Sequence, residues 1–172
     1  MIPKVKKKIT HRRDNNKVYS RTQGEYDFLK NWSLIKKWAI VNYELKSTAD
    51  LEMILFLYSE KLFTRTQFAD YSKFMSWDKE RFNRLLNSNW IYIWRHRNHQ
   101  ETHLYEVSYK GKKMVNSIYK KLLGLEPIPE SKRRNKVFLK TAPFSHKTLA
   151  IAIKKHNKEL KERKQRPSPE LR

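Results

Sequence analysis

Between Phe63 and Ser108 the apolar period of the chain changes from helical to extended, and this change limits the fold more than any other feature. Apolar residues spaced three or four apart mark a helix face, whereas alternation at every second residue marks a half-buried strand. Phe68, Ala69 and Tyr71 lie in a short helical stretch from Thr64 to Phe74. A second stretch, from Ser76 to Asn87, carries Phe82, Leu85 and Leu86 at helical spacing, with Ser76 as its N-cap. Then Trp90-Ile91-Tyr92-Ile93-Trp94 and Leu104-Tyr105-Glu106-Val107 become β-branched and aromatic, and every residue between them is polar. The pattern predicts two short helices, a turn between them and a basic β-hairpin.

Helices are predicted on both sides of this stretch. Residues 25–46 carry two apolar stripes, Phe28/Trp32/Ile35/Ala39 and Leu34/Trp38/Val41/Leu45, with Glu25 and Asp27 favouring the first turn. Two stripes imply burial on two sides. The second side is covered either by more of the same chain or by a second subunit, and the expectation here is a homodimer. Ser47-Thr48-Ala49-Asp50 caps a helix running to about Lys61, and Lys112 to Leu123 form another that stops at Gly124, just before Pro127 and Pro129. Residues 130–145 read as an irregular linker whose Val137-Phe138-Leu139 could dock on the body. Lys147 to Lys164 read as a last helix with Leu149, Ile153, His156 and Leu160 in line. The expected organisation is a basic arm over 1–22, a domain over 23–129, and a basic linker with a C-terminal helix over 130–172.

Charge bounds the partner. The formal net charge is +22 with a pI near 10.2, so phosphate backbones or anionic surfaces are the natural counterparts. The charge is concentrated at the ends: residues 1–22 hold eight Lys/Arg against one acid, and 130–172 hold fourteen against four. Tails of this kind bind polyanions through counterion release, with affinity that falls steeply as salt rises. No apolar run approaches the roughly 20 residues of a membrane helix, so no membrane partner is expected. The basic start is followed by no apolar segment and does not read as a secretory signal. The absence of Cys fits the cytoplasm of a bacterium or phage-infected cell, with a virion as the alternative.

Enzymatic function is not expected. The only glycines are Gly24, Gly111 and Gly124, which leaves no Gly-rich phosphate loop, and no catalytic grouping stands out. His96, His99 and His103 match no standard zinc spacing, and neither a metal nor another cofactor is expected.

A helix-turn-helix followed by a two-stranded wing is a DNA-reading shape, whose second helix enters the major groove. The candidate DNA-binding residues there are Ser76, Trp77, Lys79, Arg81, Asn83 and Arg84. Arg and Lys suit guanine acceptors and Asn suits adenine. Asp78 and Glu80 oppose this by repelling phosphate. On the wing, Arg95, His96, Arg97 and His99 suit a narrow minor groove, and Lys132, Arg133 and Arg134 offer a further basic run.

From Asp50 to Gly124 the order of elements resembles the winged helix of MarR-like regulators. "FTRTQFADY" (63–71) is similar to the family's first motif helix, with Phe68-Ala69 in its Leu-Ala place. "MSWDKERFNRLLNSNWI" (75–91) resembles the recognition helix and its turn, with Asn89 where that family usually has Gly. "YEVSYKGKKMV" (105–115) resembles its strand end and following helix, with Val107-Ser108 and Gly111-Lys112 at matching positions. The resemblance implies a winged helix-turn-helix with extra N- and C-terminal helices, 25–46 and 147–164, as dimerisation elements. The long basic tails depart from a simple ligand-responsive repressor.

The fold class expected is therefore mostly α with a small β-hairpin wing, and the function is non-catalytic binding of double-stranded DNA, regulatory or DNA-organising. The alternative is an interaction protein of a larger assembly, such as a phage virion, that docks other structural proteins through the same module.

Overall fold

The computed structural model describes residues 22–23, 26–98 and 101–165. Within them the chain is mostly helical, with a small antiparallel sheet. Thr22–Gln23 (β1) pairs with Tyr26–Asp27 (β2), and helix α1 follows as Phe28–Tyr43. Tyr26 and Asp27 are extended, so α1 begins later than the acidic residues at 25 and 27 suggested.

Helix α2, Thr48–Glu60, is capped as expected: the Ser47 hydroxyl accepts from the Asp50 N–H at 3.1 Å. A two-residue strand, Leu62–Phe63 (β3), leads into α3, Arg65–Lys73. A reciprocal capping box starts α3. The Gln67 N–H donates to Thr64 Oγ1 at 3.2 Å, and the Thr64 N–H donates to Gln67 Oε1 at 2.8 Å.

Helix α4 is shorter than its periodicity suggested. It spans Arg81–Asn87, so Ser76 is not its cap and 76–80 are not helical. Side chains take the bonds a helix would need there. The Glu80 N–H donates to Asp78 Oδ1 at 3.0 Å, and the Ser76 carbonyl accepts from Arg81 Nη2 at 2.7 Å. At the other end Asn89 adopts φ 55, with Asn89 N–H bonded to the Leu86 carbonyl and Trp90 N–H to that of Leu85. This reversal delivers the chain into β4, Ile91–Arg95, which pairs with β5, Leu104–Val107.

The sheet order is β3-β5-β4, antiparallel throughout. The third strand escapes sequence reading because two residues carry no period. It is held by an aromatic cluster: Phe63 stacks on Tyr105 at 6.0 Å, and Phe82 meets Tyr105 edge-on at 5.0 Å and Phe68 at 5.1 Å. These contacts seat α3 and α4 on the sheet.

Helix α5, Tyr109–Leu122, follows β5 directly, with Met114, Val115 and Ile118 buried. Gly124, φ 72, ends it. The Leu125 N–H bonds back to the Lys120 carbonyl and the Gly124 N–H to that of Lys121.

Residues 125–139 are docked rather than loose. The buried Asn157 side chain accepts from the Ile128 N–H at 3.0 Å and donates to the Ile128 carbonyl at 2.8 Å and to Glu130 Oε1 at 2.7 Å. Asn135 donates to the Pro129 carbonyl at 2.6 Å, and a 3-10 turn, Lys136–Phe138, buries Val137 as anticipated while Leu139 stays exposed. Asn157 belongs to α6, Phe144–Gln165, which starts three residues before Lys147.

Helix α1 packs against α2, α5, α6 and the 3-10 turn. Ile35, Trp38 and Ala39 are buried, with Trp32, Leu34 and Val41 partly so. Much of the two apolar stripes is therefore covered from within the chain, while Trp32, Leu34 and Val41 keep part of their surface in solvent and the Phe28 side chain lies outside the described residues.

Candidate functional site

The segment preceding α4 shows solvent a different set of side chains from the one its sequence suggests. Arg81 is 1% exposed. Its Nε donates to Asp50 Oδ1 at 3.2 Å, its Nη1 to Ser72 Oγ at 3.1 Å, and its Nη2 to the Ser76 carbonyl and hydroxyl. Arg84 clamps two carboxylates: Nε to Asp50 Oδ2 at 3.0 Å, Nη2 to Asp50 Oδ1 at 2.6 Å, and Nη2 to Asp78 Oδ2 at 2.7 Å. Arg81 is buried and Arg84 is only 18% exposed, with both guanidinium groups engaged by carboxylates within the chain rather than turned outward as the helical period suggests. The physical reason is Asp50, a buried carboxylate in the first turn of α2 that needs cationic partners.

Two arginines and two aspartates thus form a network of zero net charge linking α2, α4 and the 74–80 turn. The Arg84 guanidinium beside Asp78, with the Glu80 N–H, holds the Asp78 carboxyl below the usual carboxylate range. The same bonds to Asp50 and Asp78 push Arg84 further above its ordinary value. Sequence reasoning took Asp78 for a source of repulsion, whereas in the fold its charge is neutralised by Arg84.

Lys79 and Asn83 are exposed, as is Ser76, although its carbonyl and hydroxyl serve Arg81. The largest outward features are aromatic: Phe74 is 89% exposed and Trp77 68%. A cleft of about 180 Å³ lies beside Trp77, lined also by Arg65, Phe68, Asp78, Lys79 and Phe82.

The β4–β5 hairpin is held by short-range bonds. Arg95 pairs with Glu101 at 2.8 Å, and the Arg97 N–H donates to His103 Nδ1 at 3.2 Å. The His96 and His103 rings meet edge-on at 5.8 Å. The side chains of His96 and Arg97 face solvent, and Arg95 is partly exposed. His99 lies outside the described residues. On the outer face of the sheet the Tyr92 hydroxyl donates to Glu106 Oε2 at 2.6 Å, and Lys112 pairs with the other oxygen of the same carboxylate.

Lys132, Arg133 and Arg134 are all exposed, in a turn closed by Arg134 and Asn135 N–H bonds to the Ser131 carbonyl. The Asn157 clamp two residues upstream ties that turn to α6. Sequence reading missed Asp50 and Asn157. Asp50 looks like any acid at a helix start, and Asn157 like any polar residue of a basic helix. A signal did exist for Asn157, which falls beside His156 on the stripe of apolar positions 149, 153 and 160.

No helix among the described residues is long and apolar enough to cross a membrane. Comparison of the chain with protein-family models, with curated proteins and with solved structures gave no match.

Proposed function

We propose that this chain is a non-catalytic double-stranded DNA-binding protein of the winged-helix type, organising or regulating DNA through contacts made mainly to its phosphates. One observation carries the reading. The order α2, β3, α3, α4, β4, β5, α5, closed by a β3-β5-β4 antiparallel sheet, presents a cationic hairpin tip on a chain of net charge +22. Two local geometries support the MarR-like resemblance. Asn89, where that family usually has Gly, takes the left-handed φ of 55. Gly111 stands where a Cβ would lie 2.5 Å from Val107 Cγ1 and 3.0 Å from the Trp90 carbonyl oxygen.

The loss of Arg81 and Arg84 from the reading face lowers the expected base specificity. Lys79, Asn83 and Trp77 remain there, with His96 and Arg97 at the hairpin. Phosphate contacts give affinity without sequence preference. The expected result is duplex binding that differs little between specific and random probes and collapses as salt rises from 50 to 200 mM, by roughly 10³-fold or more for six phosphate contacts. A gel shift titrated with NaCl reads this directly. Binding unchanged at 0.5 M NaCl would overturn the reading.

A second reading rests on Phe74 and Trp77. Two exposed aromatic side chains three residues apart, beside an internally neutralised charge network, also suit docking onto a protein of a larger assembly, such as a virion. Replacing both with Ser should leave duplex binding unchanged in that case and abolish co-assembly with the neighbouring structural protein.

A further inference from the structure

Helix α6 holds seven Lys/Arg against two Glu in 22 residues, a net +5. Its two faces divide sharply. Ile153, His156, Asn157 and Leu160 are buried, against α1, the 3-10 turn and the segment at Ile128. Lys147, Ile151, Lys154, Lys158 and Lys161 recur at i, i+4, i+7, i+11 and i+14, and all are exposed. At 100° per residue these five fall within one narrow arc opposite the buried stripe.

The acids of α6 do little to neutralise this arc. Glu159 turns to Lys30 of α1 at 2.9 Å, and Glu162 reaches Lys158 only at 3.9 Å. Among the described residues, Lys154 and Lys147 otherwise sit over the rings of Phe138 and Phe144 at 6.0 and 5.8 Å, contacts that leave an ammonium free to meet an anion. From Lys147 to Lys161 the arc is roughly 21 Å long, at 1.5 Å of rise per residue.

We infer that the outer face of α6 is a lysine rail that lies along the phosphate backbone of a DNA duplex, and that α6 is not a dimerisation helix. The inference rests on the DNA-binding reading above and adds the element that supplies the non-specific affinity. The rail is straight and rigid because the opposite side of α6 is packed, so its lysines keep their spacing without an ordering cost to the backbone. A roughly 21 Å rail faces about six phosphates of one strand of B-DNA, at one charge per ~3.4 Å of axis on each strand, enough to engage every lysine. A membrane-lying helix would need its apolar stripe for lipid, and here that stripe is already buried in the fold.

The test is the triple replacement Lys154→Ala, Lys158→Ala, Lys161→Ala in the full chain, with fluorescence anisotropy on a random-sequence duplex from 50 to 300 mM NaCl. Alanine in these exposed helical positions preserves the helix. The slope of log K against log[salt] should fall by about two to three, and affinity at 0.1 M salt should drop on the order of 100-fold. A wild-type chain that binds with the expected slope and a triple variant with the same slope would overturn the rail while leaving the DNA reading intact. A wild-type chain that does not bind duplex at 50 mM salt would overturn the DNA reading, and the rail with it. Ile151→Asp supplies the second arm. On a rail it weakens duplex binding and leaves the solution mass unchanged, whereas dissociation of a wild-type dimer into monomers would show the face to be an interface between copies. Binding to phosphatidylserine vesicles that the triple replacement abolishes, with duplex binding untouched, would assign the face to membranes and overturn the proposal.

Discussion

Asp50 shows how one residue redirects a site. It is 1% exposed, and its two oxygens take three guanidinium bonds from Arg81 and Arg84. A buried ion network contributes little net stability when complete, but removing one partner leaves uncompensated charge in a place water does not reach. Asp50→Ala strands Arg81 in that position. The expected cost is about 3–5 kcal/mol, read as a lowered urea midpoint with an unchanged denaturant slope. Arg81 and Arg84 were legible as cations on an amphipathic helix, yet nothing local told their direction. Asp50 lies 31 and 34 positions away, and only the packing of α2 against α4 brings the charges together.

At the scale of elements, α4 and the β5–α5 joint carry the geometry. Helix α4 keeps only seven residues because Asp78 and Ser76 divert the backbone bonds of 76–80, a competition that hydrophobic period does not register. The joint between β5 and α5 is tighter still. The Ser108 hydroxyl accepts from the Gly111 N–H at 3.2 Å and donates to the Asn89 carbonyl at 2.6 Å, locking the start of α5 to the turn after α4. Gly111 therefore passes close against Val107 and the Trp90 backbone. Gly111→Ala pushes a methyl first into Val107 Cγ1, 2.5 Å from where it would lie, and then against the Trp90 carbonyl at 3.0 Å, so the buried Val107 side chain and the backbone beside it must shift. Overpacking of this kind costs about 1–3 kcal/mol, and thermal unfolding should show it as a lowered midpoint. Asn89 holds a left-handed backbone and Gly111 a close approach, and neither constraint is visible in hydrophobic period.

At the scale of the molecule, α1 is the central strut. It packs against α2, α5, α6 and the 3-10 turn. His156, buried beside α1, and Asp78, on the partly exposed turn before α4, make the fold acid-sensitive. Burial pushes the His156 imidazole below its ordinary value, against the opposing pull of Glu159 and with Lys30 and Arg163 adding to the shift. Asp78, near α2 and α4, is held low by Arg84. In both cases the folded pKa lies below the unfolded one, so the unfolded chain binds more protons and stability falls as pH falls. The His156 contribution begins as pH drops through about 6.5, and that of Asp78 as it drops below about 4. Urea midpoints measured from pH 8 to pH 3 should decline in two stages. His156→Leu should remove the first stage, because a leucine neither protonates nor leaves the buried, unpartnered Nε2 behind.

Periodicity and composition by themselves determined the helices α1 to α6 of the described residues, the β4–β5 hairpin, the caps at Ser47 and Gly124, and the high positive charge, because each is a property of neighbouring residues. Tertiary structure alone decided which cations face outward. Arg81 and Arg84 were drawn inward by Asp50, the 131–134 turn was tied down by Asn157, and the lysines of α6 were left in solvent because the opposite face of that helix found its partner in α1. Side-chain direction depends on what a distant segment buries, and a burial cost is incurred only once the chain has folded.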